Sequence, residues 1–142
     1  MTRSIFAALA ALSFVPGCIV VDDGPDPAPV PNYAPTITWA EAGCYWDGYY
    51  GDFIWYFSAD ADDPNGVLDV ISVWADVYDG PSGAWVDSFE LYADPNDPYI
   101  WFSDWLGSST YLSCGYTGYV VDFWAYDSYQ EEAVYSTWPL IY

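Results

Sequence analysis

Asp60, Asp62, Asp63 and Asp127 are the side chains of this sequence best placed to hold a metal ion. Carboxylates are hard oxygen donors, and Ca²⁺ takes about six to eight oxygens, waters included. Asp60 and Asp62 stand two apart, so at an extended strand end they share one side. Asp127 closes a later apolar run, and Asn32, ahead of the first strand, adds an amide oxygen. The loop is not an EF-hand: Pro64 falls at the third ligand position and the closing Glu is missing. The competing expectation is a set of Asx turns in solvent.

A second group pairs flat rings with acids. In residues 70–78, Ile71, Val73, Ala75 and Val77 alternate with Ser72, Trp74, Asp76 and Tyr78. In residues 117–126, Tyr119, Val121, Phe123 and Ala125 alternate with Asp122, Trp124 and Tyr126. Period-two alternation is the mark of a strand with one buried face. If the aliphatic parity is core, Trp74, Asp76, Tyr78, Asp122, Trp124 and Tyr126 share an outer face. Rings that stack and carboxylates that accept hydroxyl hydrogen bonds suit a glycan, and the same face suits a protein partner. Cross-strand aromatic pairs that merely stabilise the sheet are the alternative.

Seven strands are expected to position these groups, over residues 36–40, 53–59, 70–78, 84–92, 99–106, 117–126 and 133–140. Between them stand turn clusters such as Asp62-Asp63-Pro64-Asn65-Gly66 and Gly80-Pro81-Ser82-Gly83. Short strands at this spacing, 22% aromatic residues and no amphipathic helix predict an all-β chain, a Greek-key β-sandwich. Residues 53–57 are bulky on both parities, so their outer side needs a cover. The loop carrying Tyr45, Trp46, Tyr49 and Tyr50 is the nearest one.

Charge excludes whole classes of function. The chain has 21 acidic residues, one basic residue and no His, for a net charge of −20. Nucleic-acid binding needs Lys and Arg against phosphates and is excluded. Attraction to anionic lipid or glycan fails for the same reason. No Ser-His-Asp, Cys-His or Lys nucleophile can be assembled. A carboxylate pair for glycoside hydrolysis is formally available, but no two acids stand out, and no enzymatic activity is expected.

The single basic residue, Arg3, opens a segment with an apolar stretch from Ile5 to Val15, the pattern of a secretory signal over residues 1–17. Val15-Pro16-Gly17-Cys18 resembles the lipobox of bacterial lipoproteins. That resemblance implies cleavage before Cys18, its lipidation, and attachment to the bacterial cell envelope as an outer-membrane lipoprotein, periplasmic or surface-exposed. Residues 18–31, rich in Pro and Asp, read as an extended tether at about 3 Å per residue. Removing Cys18 from three cysteines leaves Cys44 and Cys114 to pair in an oxidising compartment. They fall between expected strands one and two and between five and six, loops that share an end of the sandwich.

Three further motifs occur in order. Asn32-Tyr33-Ala34-Pro35 precedes the first strand, Asp60-Ala61-Asp62 closes the second and Ala125-Tyr126-Asp127 closes the sixth. Together they resemble the bacterial Ig-like and cadherin-like superfamily. The resemblance implies an Ig-like fold over residues 32–142, with adhesion a family habit; the calcium expectation at Asn32, Asp60, Asp62, Asp63 and Asp127 rests on the clustering of those residues themselves. The mid-repeat acidic triplet and the Asp-Arg-Glu motif of cadherins are absent. The expectation is a lipid-anchored binding or structural module, calcium-dependent; the alternative is a glycan-binding module.

Overall fold

The computed structural model describes residues 29–142, and Cys18 with most of the tether lies outside them. Eight strands follow in order: β1 (Thr36–Asp47), β2 (Asp52–Asp62), β3 (Val70–Asp79), β4 (Ala84–Asp94), β5 (Asp97–Leu106), β6 (Tyr119–Asp127), β7 (Glu132–Thr137) and β8 (Leu140–Ile141). The only helical segments among the described residues are single 3₁₀ turns, Val67–Asp69 and Gly107–Ser109.

The strands form one curled, mixed sheet, a half-barrel, in the order β7-β6-β3-β4-β5-β2-β1-β8. All pairings are antiparallel except β1 with β8. The fold is therefore all-β, as the strand spacing predicts, but its hydrogen bonding does not divide into two stacked sheets. The reason lies in β4. Its stretch from Ala84 to Leu91 pairs with β3, and Tyr92 to Asp94 pair with β5. One strand thus serves both arms of the sheet.

The core fills the curl. Phe57 on β2 stacks on Phe89 of β4, with ring centroids 4.5 Å apart, and meets Phe123 of β6 at 6.5 Å. Trp55 meets Tyr119 edge-on at 5.9 Å. Strands β2 and β6 are not hydrogen-bonded neighbours, so these rings pack across the interior. Val73, Ala75, Val77, Val121, Phe123 and Ala125 are fully buried among them, the parity read from the sequence. Ile71 departs from it. The β3–β6 register shifts between Val70 and Ser72, and this bulge turns Val70 inward and leaves Ile71 half exposed.

Strand β1 runs seven residues beyond the expected 36–40, so Cys44 sits inside a strand, fully buried, and not in a loop. Its disulfide with Cys114 forms as expected, with the Cα atoms 5.7 Å apart. The last expected strand is two: β7 lies on β6 and β8 on β1, with Trp138 and Pro139 between them. The cover over β2 is partial. Tyr45 and Tyr50 stand beside Ile54, and Trp46 packs edge-on against Phe53 at 5.2 Å, while Tyr49 stays 90% exposed.

Candidate metal centre

Asp127, the last residue of β6, is fully buried. The turn after it wraps its carboxylate: the backbone N–H groups of Tyr129 and Glu131 each donate to Oδ1 at 2.8 Å. Asn32 Nδ2 donates to the other oxygen at 2.5 Å. Burial raises the pKa of Asp127, but the Asn32 amide and the backbone donors outweigh it and hold it below the usual carboxylate range.

Two more carboxylates meet it there. Asp63 follows β2, is 3% exposed, and accepts from Asn65 N on Oδ1 at 2.6 Å. Gly66, at φ 127°, lets the chain reverse, and the 3₁₀ turn then delivers Asp69, which accepts a hydrogen bond from Ser128. One carboxylate oxygen from each of Asp63, Asp69 and Asp127 lies within 4.8 Å of the others. Oxygens no farther apart than this can share one cation bound at roughly 2.3–2.6 Å.

The unpaired atoms point to a ligand. Among the described residues, Asp63 Oδ2 and Asn32 Oδ1 are buried without any hydrogen-bond partner, a state costing roughly 1–3 kcal/mol for each group. Residues 29–142 contain no Lys, Arg or His to neutralise the acids. An all-oxygen set with no imidazole or free thiol suits a hard cation. These three aspartates can hold a metal ion.

Of the residues expected to do so, Asp63 and Asp127 meet and Asn32 donates to Asp127. Asp60 and Asp62 do not join the cluster. Alternation along β2 explains this: Asp63 continues the inward row of Phe57, Ala59 and Ala61, whereas Asp60 and Asp62 take the outer parity. Asp62 Oδ1 instead accepts from Asp63 N at 2.8 Å. Asp69 was not among the expected ligands, because a lone acid in a turn carries no periodic signal.

The ring-and-acid residues lie on the outer parity of neighbouring strands β3 and β6. Trp74 lies opposite Trp124, and Asp76 opposite Asp122. Ser88 on β4 donates to Asp76, and Ser136 on β7 donates to Asp122 at 2.6 Å. A polar row thus crosses four strands, bordered by Trp74, Trp124, Tyr78 and Tyr126. Trp74 is 36% exposed and the other five are half-buried. Burial first, then nearby acids, raises the phenol pKa of both Tyr78 and Tyr126.

Comparison with family models, with curated proteins and with solved structures finds no match for this chain.

Proposed function

We propose that this chain is a lipid-anchored protein of the bacterial envelope whose β-domain binds Ca²⁺ at Asp63, Asp69 and Asp127 and serves in adhesion or scaffolding, without a catalytic role. Asn32 Oδ1 and waters complete the coordination. The observation that carries the reading is the pair of buried, unpartnered oxygens on Asp63 and Asn32 beside two further carboxylates. The strand neighbours support an Ig-like Greek-key assignment: β1-β2-β5 on one arm, β7-β6-β3 on the other, with β4 shared. The ion would tie the lead-in segment at Asn32 to the ends of β2 and β6.

Melting temperature in Ca²⁺ and in Mg²⁺ at matched ionic strength tests it. With a Kd on the order of 10⁻⁴ M, about 10 mM Ca²⁺ stabilises the fold by about 2.7 kcal/mol. Asp63→Ala and Asp69→Ala abolish the Ca²⁺-specific shift, and Asp62→Ala retains it. Equal shifts from both ions, unchanged by any substitution, reduce the effect to charge screening and end the proposal.

A second reading rests on the outer face of β3 and β6. Trp74 against Trp124, bordering Asp76 and Asp122, favours a glycan or protein partner stacked on that face. Glycan-array binding lost in Trp124→Ala would support it.

A further inference from the structure

The far end of β2 carries a different arrangement. Tyr45 on β1 lies opposite Ile54, which lies opposite Leu106 on β5, and Tyr56 lies opposite Asp104. These residues occupy the outer face of the sheet, away from the core. The β1–β2 hairpin brings Tyr50 over the same spot. Tyr45, Tyr50, Ile54, Asp104, Trp105 and Leu106 enclose a cleft of about 250 Å³. Its base is aliphatic, the rings of Tyr45 and Tyr50 flank it, and its one charged group is the Asp104 carboxylate; Trp105 borders it from β5 but turns its ring inward against Phe89.

We propose that this cleft binds a small organic ammonium group, held between the aromatic rings of Tyr45 and Tyr50 and the carboxylate of Asp104. Aromatic faces are electron-rich and attract cations, most strongly when water is partly excluded. Asp104 supplies the counter-charge. It is open to solvent at one edge, the mouth of the cleft, yet its neighbours desolvate the carboxyl enough to push its pKa up, with no compensating donor. The charges of Asp104 and Asp47 both reach the Tyr45 hydroxyl, so the mouth is negative on two sides. An anion is repelled by these acids and by a chain of net charge −20. A neutral sugar needs several converging donors and acceptors, whereas one carboxylate and two phenols are what this cleft offers. Its volume lies below the roughly 300–1,000 Å³ of drug-sized pockets, so the occupant is small.

The cleft is independent of the metal centre. Ile54 on β2 and Asp63 just past its end are nine residues apart, about 30 Å at strand rise.

Calorimetric titration of the full chain tests the proposal, using choline, its uncharged carbon isostere 3,3-dimethylbutanol, and N-acetyl-lysine amide. Choline binding at least tenfold tighter than the isostere is expected, weakened at least fivefold by Asp104→Asn and by Tyr50→Ala. Tyr50 is 63% exposed, so its replacement keeps the fold and serves should Asp104→Asn not. Binding by the lysine amide in place of choline also supports the proposal and names a partner's lysine as the source. Equal binding of choline and isostere overturns it in favour of an apolar cleft. Absence of binding by both cations, or a monosaccharide binding where they do not, overturns it outright. Chelating calcium leaves the titration unchanged, which separates its failure from failure of the metal reading.

Discussion

Asn32 and Asp127 stand 95 residues apart in sequence, and the Asn32 amide donates to the Asp127 carboxylate at 2.5 Å. The bond joins the segment ahead of β1 to the end of β6. The same segment is pinned a second time, where Asn65 accepts from Tyr33 N at 2.9 Å and donates to the Pro31 carbonyl at 3.0 Å. The lead-in chain is therefore part of the fold and shapes the acidic site.

Asn32→Ala removes a hydrogen bond to a charged acceptor and the amide oxygen beside it. It should destabilise the domain by about 1.5–3 kcal/mol without calcium, and also weaken the calcium response. Urea midpoints with and without Ca²⁺ separate the two effects. An unchanged midpoint in both conditions would remove Asn32 from the site.

The Cys44–Cys114 bridge spans 70 residues and ties β1 to the β5–β6 connection. Closing a loop of this length restricts the unfolded chain by about 4 kcal/mol. Replacing both cysteines by Ala should lower stability by about 2–5 kcal/mol, read as a shift in denaturant midpoint. A shift near zero would mean that the buried strand holds its place without the bridge.

Acid should act on stability in two opposite stages. The Ser108 hydroxyl and backbone N–H, with Phe53 N, hold Asp52 below its ordinary value of 3.8. Ser82 and Tyr116 do the same for Asp79. A lowered carboxyl contributes stability above its unfolded pKa and loses it as pH falls through the folded one. Asp104 is raised by burial, so its penalty is present above its folded pKa and gone once protonated. Stability should rise modestly as falling pH reaches the raised pKa of Asp104 and drop again below about 4. Asp104→Asn should flatten the first stage and Asp52→Asn the second, measured as urea midpoints at three pH values.

Neighbouring residues on β6 should respond differently to truncation. Phe123 is fully buried in the curl, and Phe123→Ala should cost about 3–5 kcal/mol. Trp124 faces outward, and Trp124→Ala should cost about 1–2 kcal/mol. Equal losses would mean that the outer rings are packed as tightly as the core, leaving no surface for a partner.

Period-two alternation made β3 and β6 legible because each buries one face only. Val73, Ala75, Val77 and the row from Tyr119 to Ala125 could be read directly. The same period, carried one residue past Asp62, sets Asp63 inward and Asp60 and Asp62 outward. The loop's turn chemistry obscured that distinction. The far half of β1 was illegible for a tertiary reason. Gly43 breaks its pattern because the Tyr56 ring lies where a Cβ would be, within 2.5–2.6 Å, and Glu41 is occupied by the Tyr56 hydroxyl at 2.7 Å. Asp69 and the Asp104 cleft depend on segments meeting from different strands, which no local pattern encodes.

The switch at Trp138 and Pro139 has a consequence for solubility. Strands β7 and β8 flank the two outermost long strands, β6 and β1, so one short stretch of chain guards both ends of the hydrogen-bonded order. Unguarded, β6 and β1 would each present a row of unpaired backbone donors and acceptors, the template from which chains add to one another. The cover is unequal: β7 pairs with six residues of β6, whereas β8 pairs with β1 only at Gly43 and Cys44. A chain shortened before Glu132 would bare β6 along six residues and release β1 at Gly43 and Cys44, and its failure would be read as self-association before it was read as unfolding.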